Sequence, residues 1–169
     1  MVILGNAVSL VASLFMVYSG ILKKKSQILL CQCIEFILFV ITNIILGGIP
    51  GAIINFICMI GVILGYNKRL NIVTKTILAL LASILIIKFN NMGLLGYLPL
   101  IAMVLYLWVI DIKDVFIFKT FLLIVMLLWV TYDFSIKSYV SLLFNVFTII
   151  TTIIAMIQLK KTKKRRKVK

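Results

Sequence analysis

Histidine is absent from the 169-residue chain, and Asp and Glu together number only 4. Without histidine the chain lacks the commonest metal ligand and the side chain best suited to titrating near neutral pH. Cysteine occurs three times, at Cys31, Cys33 and Cys58, each inside an apolar run. Cys31-Gln-Cys33 is not a usual zinc spacing and has no second pair, so the thiols read as small buried apolar residues. The chain has no Ser-His-Asp set, phosphate loop, metal cluster or close carboxylate pair. The expectation is therefore a protein that is not an enzyme and holds neither metal nor cofactor.

What the chain does have is oil and positive charge. It is 64% hydrophobic, 13% charged, and carries 18 Lys and Arg for a net +14. An ordinary soluble domain is about 45–50% apolar and about 25% charged. Such hydrophobicity excludes a disordered basic protein. It also excludes a soluble nucleic-acid binder, which could not hide this much apolar surface. An integral membrane protein remains, with its charge confined to short segments. Seven membrane helices of about 20 residues use roughly 140 residues, leaving room for loops and a tail but no soluble domain.

Breaks in the hydrophobicity place helices near residues 2–22, 27–46, 51–66, 71–88, 94–110, 115–133 and 137–159. Lys23-Lys24-Lys25 ends the first, and Gly47-Gly48-Ile49-Pro50-Gly51 makes a tight turn after the second. Asp111 to Asp114 closes the fifth, and Asp133 to Lys137 divides the last two. Met1-Val-Ile-Leu-Gly5 carries no basic region of the kind that opens a cleavable signal, so the first span reads as retained. With the N-terminus outside, every basic residue except Lys88 and Lys137 falls on the inner side, including the cluster from Lys160 to Lys169. Lys75 and Lys119 sit one turn into their helices, within snorkelling reach of the inner surface. Tyr18, Tyr66, Tyr106 and Trp108 mark an inner aromatic belt; Tyr97, Trp129, Tyr132 and Tyr139 mark an outer one. The basic segment 160–169 resembles a nucleic-acid patch only in isolation. Directly after a membrane helix it reads as a cytoplasmic tail drawn to anionic headgroups.

Shifting the chain on itself by 90 residues brings rare residues into step: Lys23 on Lys113, Tyr18 on Trp108, Phe39 on Trp129, Asn43 on Asp133, Asn55 on Asn145. The expected architecture is thus all-α, with two parallel three-helix repeats (2–66 and 94–159) joined by a linker helix at 71–88. Gly61 and Gly65, four apart, favour close helix packing within the fold or between protomers.

The polar residues left in the membrane are the candidate site. Gln32, Glu35, Phe39 and Asn43 share one face of the second helix. Glu35 lies roughly 12 Å from the inner edge of a ~30 Å core, so it must face the bundle interior, be protonated or pair with a cation. It is a coupling or solute-lining residue, or a helix-to-helix hydrogen bond. Trp129 and Asp133 stand on the matching stripe of the sixth helix: Trp129 as a belt residue or a stacking wall, Asp133 as a lining or simply solvated residue. Asn55 and Asn145 occupy matching places on helices three and seven, where they either join helices or face a polar solute.

The run Gln32…Leu38-Phe39…Leu46-Gly47-Gly48…Gly51-Ala52…Asn55 resembles the signature region of the YgjV-type bacterial inner-membrane proteins. Leu98-Pro99, Trp129…Tyr132-Asp133 and Tyr139…Asn145 are similar to that family's second half, so the resemblance spans nearly the whole chain. It implies an inner-membrane location and no particular activity. The three-one-three plan also resembles the SWEET and PQ-loop transporters, in which asparagines on helices three and seven, with aromatics nearby, face a solute. Asn55, Asn145 and Trp129 match that pattern, and Phe39 stands where a tryptophan is expected. The Pro-Gln pair is missing: Pro99 aligns with Ser9, and neither is followed by Gln, so the proline hinge and sugar specificity do not carry over. The expected function is a small-solute transporter or facilitator, with homo-oligomerisation left open. The alternative is a non-transporting scaffold or regulator working through its basic tail.

Overall fold

The computed structural model describes residues 1–21, 25–109 and 115–167. Lys23, Lys24, Asp111, Lys113, Asp114, Val168 and Lys169 lie outside the described residues, and with them the match of Lys23 to Lys113. Seven α-helices follow in order: α1 (Val2–Ile21), α2 (Lys25–Leu46), α3 (Ile49–Tyr66), α4 (Ile72–Phe89), α5 (Leu98–Val109), α6 (Val115–Ser135) and α7 (Tyr139–Lys167). Segments Leu29–Leu46, Ile49–Tyr66 and Ile72–Phe89 are long and apolar enough to cross a membrane; the apolar helices Val2–Tyr18, Gly93–Trp108 and Tyr139–Ile154 are shorter. The outer surface is apolar on every helix: Ile3, Leu30, Ile87, Phe134 and Phe147 are all more than half exposed. A continuous apolar exterior is costly in water and natural in lipid.

Two boundaries differ from the sequence expectation by more than two residues. The fifth span opens as a 3-10 turn, Gly93–Tyr97, before α5 begins. Gly93 there has φ +57°, and Gly96 is packed so closely on Asn90 and Pro50 that a Cβ would collide with both. The basic segment expected as a tail from 160 is instead helical as far as Lys167, continuous with α7. Lys and Arg are good helix formers, and cations at a helix C-terminus complement its dipole, so nothing in this composition stops the helix.

The helices pack in the cyclic order α1, α2, α3, α5, α6, α7 and back to α1, with α4 outside the ring against α3 and α5. Ile54, Ile57 and Cys58 of α3, Leu78, Ala82 and Ile86 of α4, and Met103 and Leu107 of α5 form the buried cluster that holds α4 there. Gly61 faces Leu78 and Leu107, which a Cβ added there would just touch, so this small residue lies at a contact within the fold. Helix α4 is capped at its start by a reciprocal pair: Thr74 N–H donates to Asn71 Oδ1 at 2.9 Å, and Asn71 N–H to Thr74 Oγ1 at 2.8 Å.

The α2–α3 and α6–α7 turns repeat bond for bond at a spacing of 90. Gly48 N–H donates to Asn43 O at 2.8 Å, and Ser138 N–H to Asp133 O at 2.9 Å. Gly47 and Lys137 both take positive φ, +78° and +60°. The left-handed conformation suits the glycine and strains the lysine. Each turn is also gripped by the opposite half. Asn6 of α1 donates to Lys137 O at 3.0 Å and accepts from Val140 N–H at 3.0 Å; Asn91, just before α5, donates to Gly47 O at 2.8 Å. The counterpart of Val140 is Pro50, which has no N–H to cap, and the counterpart of Asn6 is Gly96. Where the helix start needs an acceptor, α1 supplies one. Where proline removes the need, a glycine lets the backbone close on the ring.

Candidate functional site

Ring packing places the repeat-related helices opposite one another: α1 across from α5, α2 from α6, and α3 from α7. Between them lies a cavity of about 180 Å³. All eight residues singled out from the sequence line it: Gln32, Glu35, Phe39 and Asn43 from α2, Asn55 from α3, Trp129 and Asp133 from α6, and Asn145 from α7. The wall is paired at the 90-residue spacing. Met16 and Tyr106 both contribute, as do Phe36 and Met126, and Glu35 and Val125. A volume of this size suits a small solute and not a polymer.

At the end nearest the two turns the lining is polar. Asp133 is only 3% exposed, so of the two readings open to it the solvated one does not hold. Its Oδ2 accepts from Ser141 Oγ at 2.6 Å and from Asn145 Nδ2 at 2.9 Å. Asn145 is thus aimed by a carboxylate, while Asn55 is held by its own helix, its Nδ2 donating to Gly51 O at 2.9 Å. Asn43 donates to Phe39 O at 2.8 Å, and its Oδ1 is buried with no hydrogen-bond partner.

The aromatic level comes next. Tyr132 was expected in the outer belt and is instead fully buried. Its hydroxyl donates to Gly48 O at 2.9 Å and accepts from Gly51 N–H at 2.8 Å, so a side chain of α6 caps the start of α3. Glycine at 48 and 51 clears the space: a Cβ at either position would run into the Tyr132 ring or hydroxyl. Tyr132 then braces Trp129 edge to face, with ring centroids 5.7 Å apart and an interplanar angle of 86°. Trp129 faces the cavity opposite Phe39 and is not a belt residue.

Beyond that level lie Glu35, Gln32, Cys58 and Tyr106. Glu35 is 7% exposed, and its Oε2 has no hydrogen-bond partner. Of the three arrangements open to it, it takes the bundle interior, with Cys58 and Tyr106 as its titratable neighbours. Tyr106 therefore leaves the inner belt, whereas Tyr18, Tyr66 and Trp108 are exposed as expected. Lys75, expected to snorkel, is buried at 5% exposure.

Ser141 and Phe36 line the cavity without having been picked out from the sequence, and Tyr106 and Cys58 line it after being read there as a belt residue and a buried apolar thiol. Ser141 carried a usable signal: it lies four residues before Asn145, on the same helix face. No group of three or more Cys, Asp or Glu is arranged to hold a metal among the described residues.

No curated protein and no solved structure matches the chain. A family model described as a bacterial inner membrane protein, Imp-YgjV, matches residues 3–163, nearly the full length, and the chain belongs to that family.

Proposed function

We propose that this inner-membrane protein is a small-solute transporter or facilitator, with its solute site in the cavity between the two three-helix halves. One observation carries the reading: a space at the centre of a membrane protein, lined from both halves by polar side chains of which two acceptors are left unpaired. Buried polar atoms without partners are rare in proteins that need only to pack. The SWEET-like resemblance supports the same reading, since parallel three-helix repeats suit rocking of one half against the other around a central site. The cross-repeat grips of Asn6 and Asn91 would be the contacts that such motion breaks and remakes. The distribution of basic residues supports an N-terminus outside, a C-terminus in the cytoplasm and residues 160–169 drawn to anionic headgroups.

The test is solute flux into liposomes containing the purified protein. Asn55→Ala and Asn145→Ala should each cut uptake at least tenfold while the protein remains folded. Unchanged uptake in both would remove the site. Under a scaffold role, loss of residues 160–169 abolishes activity and the asparagine changes do not.

A further inference from the structure

The chain carries 18 basic residues and 4 acidic ones. Inside the cavity the balance reverses. Glu35 and Asp133 both line it, and among the described residues no lysine or arginine does. Each carboxylate is more than nine-tenths buried. Two of the lining side chains carry a buried acceptor atom with no partner, Glu35 Oε2 and Asn43 Oδ1.

We propose that the solute is a small organic cation with an ammonium head and a short apolar body. The proposal rests on the transporter reading and names its substrate class. An anion would find no cation to pair with, and two carboxyl groups that would have to stay protonated beside it. A neutral polyol needs many matched donors and acceptors, but the middle of the wall is Phe36, Phe39, Met126 and Trp129. A bare metal ion is held by several converging charged ligands, and no group of three or more Cys, Asp or Glu is gathered among the described residues.

An ammonium is a pure donor, which is what surplus acceptors require. Its charge is also attracted to aromatic faces, to indole most of all, and more strongly when water is excluded. The carboxylates stand at two levels. Val125 marks the level of Glu35 on α6, and Asp133 is eight residues further along, about 12 Å of helical rise. The Phe39–Trp129 level lies between them. A cation entering from either end thus finds a carboxylate first, then aromatic faces, then the second carboxylate. The short body is set by the cavity of about 180 Å³.

The experiment uses the full-length protein, purified for binding and reconstituted in liposomes for flux. The labelled probes are ethylammonium, glycerol and propionate, similar in size and different in charge. The expected result is saturable ethylammonium binding and flux above protein-free vesicles, with neither of the others taken. Asp133→Asn and Glu35→Gln should each weaken ethylammonium binding at least tenfold. Trp129→Leu should weaken it several-fold and Trp129→Phe less. This aromatic series keeps the test decisive if a carboxylate variant fails to fold, as read by gel filtration and helical circular dichroism. Glycerol or propionate flux without ethylammonium binding overturns the cation proposal and leaves the transporter reading intact. Ethylammonium binding without flux supports the cation site and removes the transporter reading. No binding by any probe overturns both.

Discussion

Tyr132→Phe removes one oxygen from a fully buried side chain and breaks two hydrogen bonds between halves. The two lost partners do not fare alike. Gly48 O keeps its bond from Ala52 N–H at 3.1 Å, so only one of its interactions goes, about 0.5–1.5 kcal/mol. Gly51 N–H is in the first turn of α3, where no helical carbonyl is available, and Gly48 offers no side-chain cap. It is left buried and unsatisfied, at about 1–3 kcal/mol. The expected loss is about 1.5–4.5 kcal/mol, measured as the shift in the denaturant unfolding transition in mixed micelles. The ring remains, so the edge-to-face support of Trp129 should persist and Trp129 fluorescence should change little. A loss below about 0.5 kcal/mol, within the range of an ordinary surface change, would refute the claim that this hydroxyl caps α3.

Lys137→Gly should raise stability by about 0.5–1 kcal/mol in the same assay, because Lys137 holds φ +60° at the place where the other turn has a glycine. Asn6→Ala should lower it by about 1–2 kcal/mol, since Asn6 both accepts from Val140 N–H and donates to Lys137 O, in the manner of a helix cap. A fluorescent protein fused after Lys169 should fluoresce in the cytoplasm, and a periplasmic phosphatase fused there should stay inactive. An active phosphatase would reverse the topology.

The helix count and most boundaries were legible because glycine, proline and charge interrupt the apolar runs. The Gly47–Gly51 turn is the clearest case: its positive φ and proline-started helix follow directly from residue type. The 3-10 opening before α5 was not legible, since Gly93–Tyr97 is as apolar as a helix and is shaped by Gly96 closing on Pro50. The candidate site was legible because a charge or amide is expensive in a membrane, so Glu35, Asn43, Asn55 and Asn145 had to turn inward, whereas Asp133, near a boundary, had solvation as a second choice. Tyr132 was misplaced for a related reason. An aromatic near a boundary satisfies a belt as well as an interior, and only the clearance made by Gly48 and Gly51 decides between them. Those glycines, three apart on the opposite half, were explained by the turn and concealed their second purpose. The basic segment shows the limit of charge as a guide. It reports a preference for the surface but does not stop α7 from continuing through it.

Cys58 offers the most direct measurement of the central claim, a water-accessible cavity between the halves that prefers cations. Its thiol is native and lines the cavity. With Cys31→Ser and Cys33→Ser leaving Cys58 as the sole thiol, the protein in membranes can be exposed to 2-aminoethyl and 2-sulfonatoethyl methanethiosulfonate. The cationic reagent should modify Cys58 at least tenfold faster than the anionic one, and ethylammonium should slow it. Equal rates, or no modification by either until the protein is denatured, would contradict that claim.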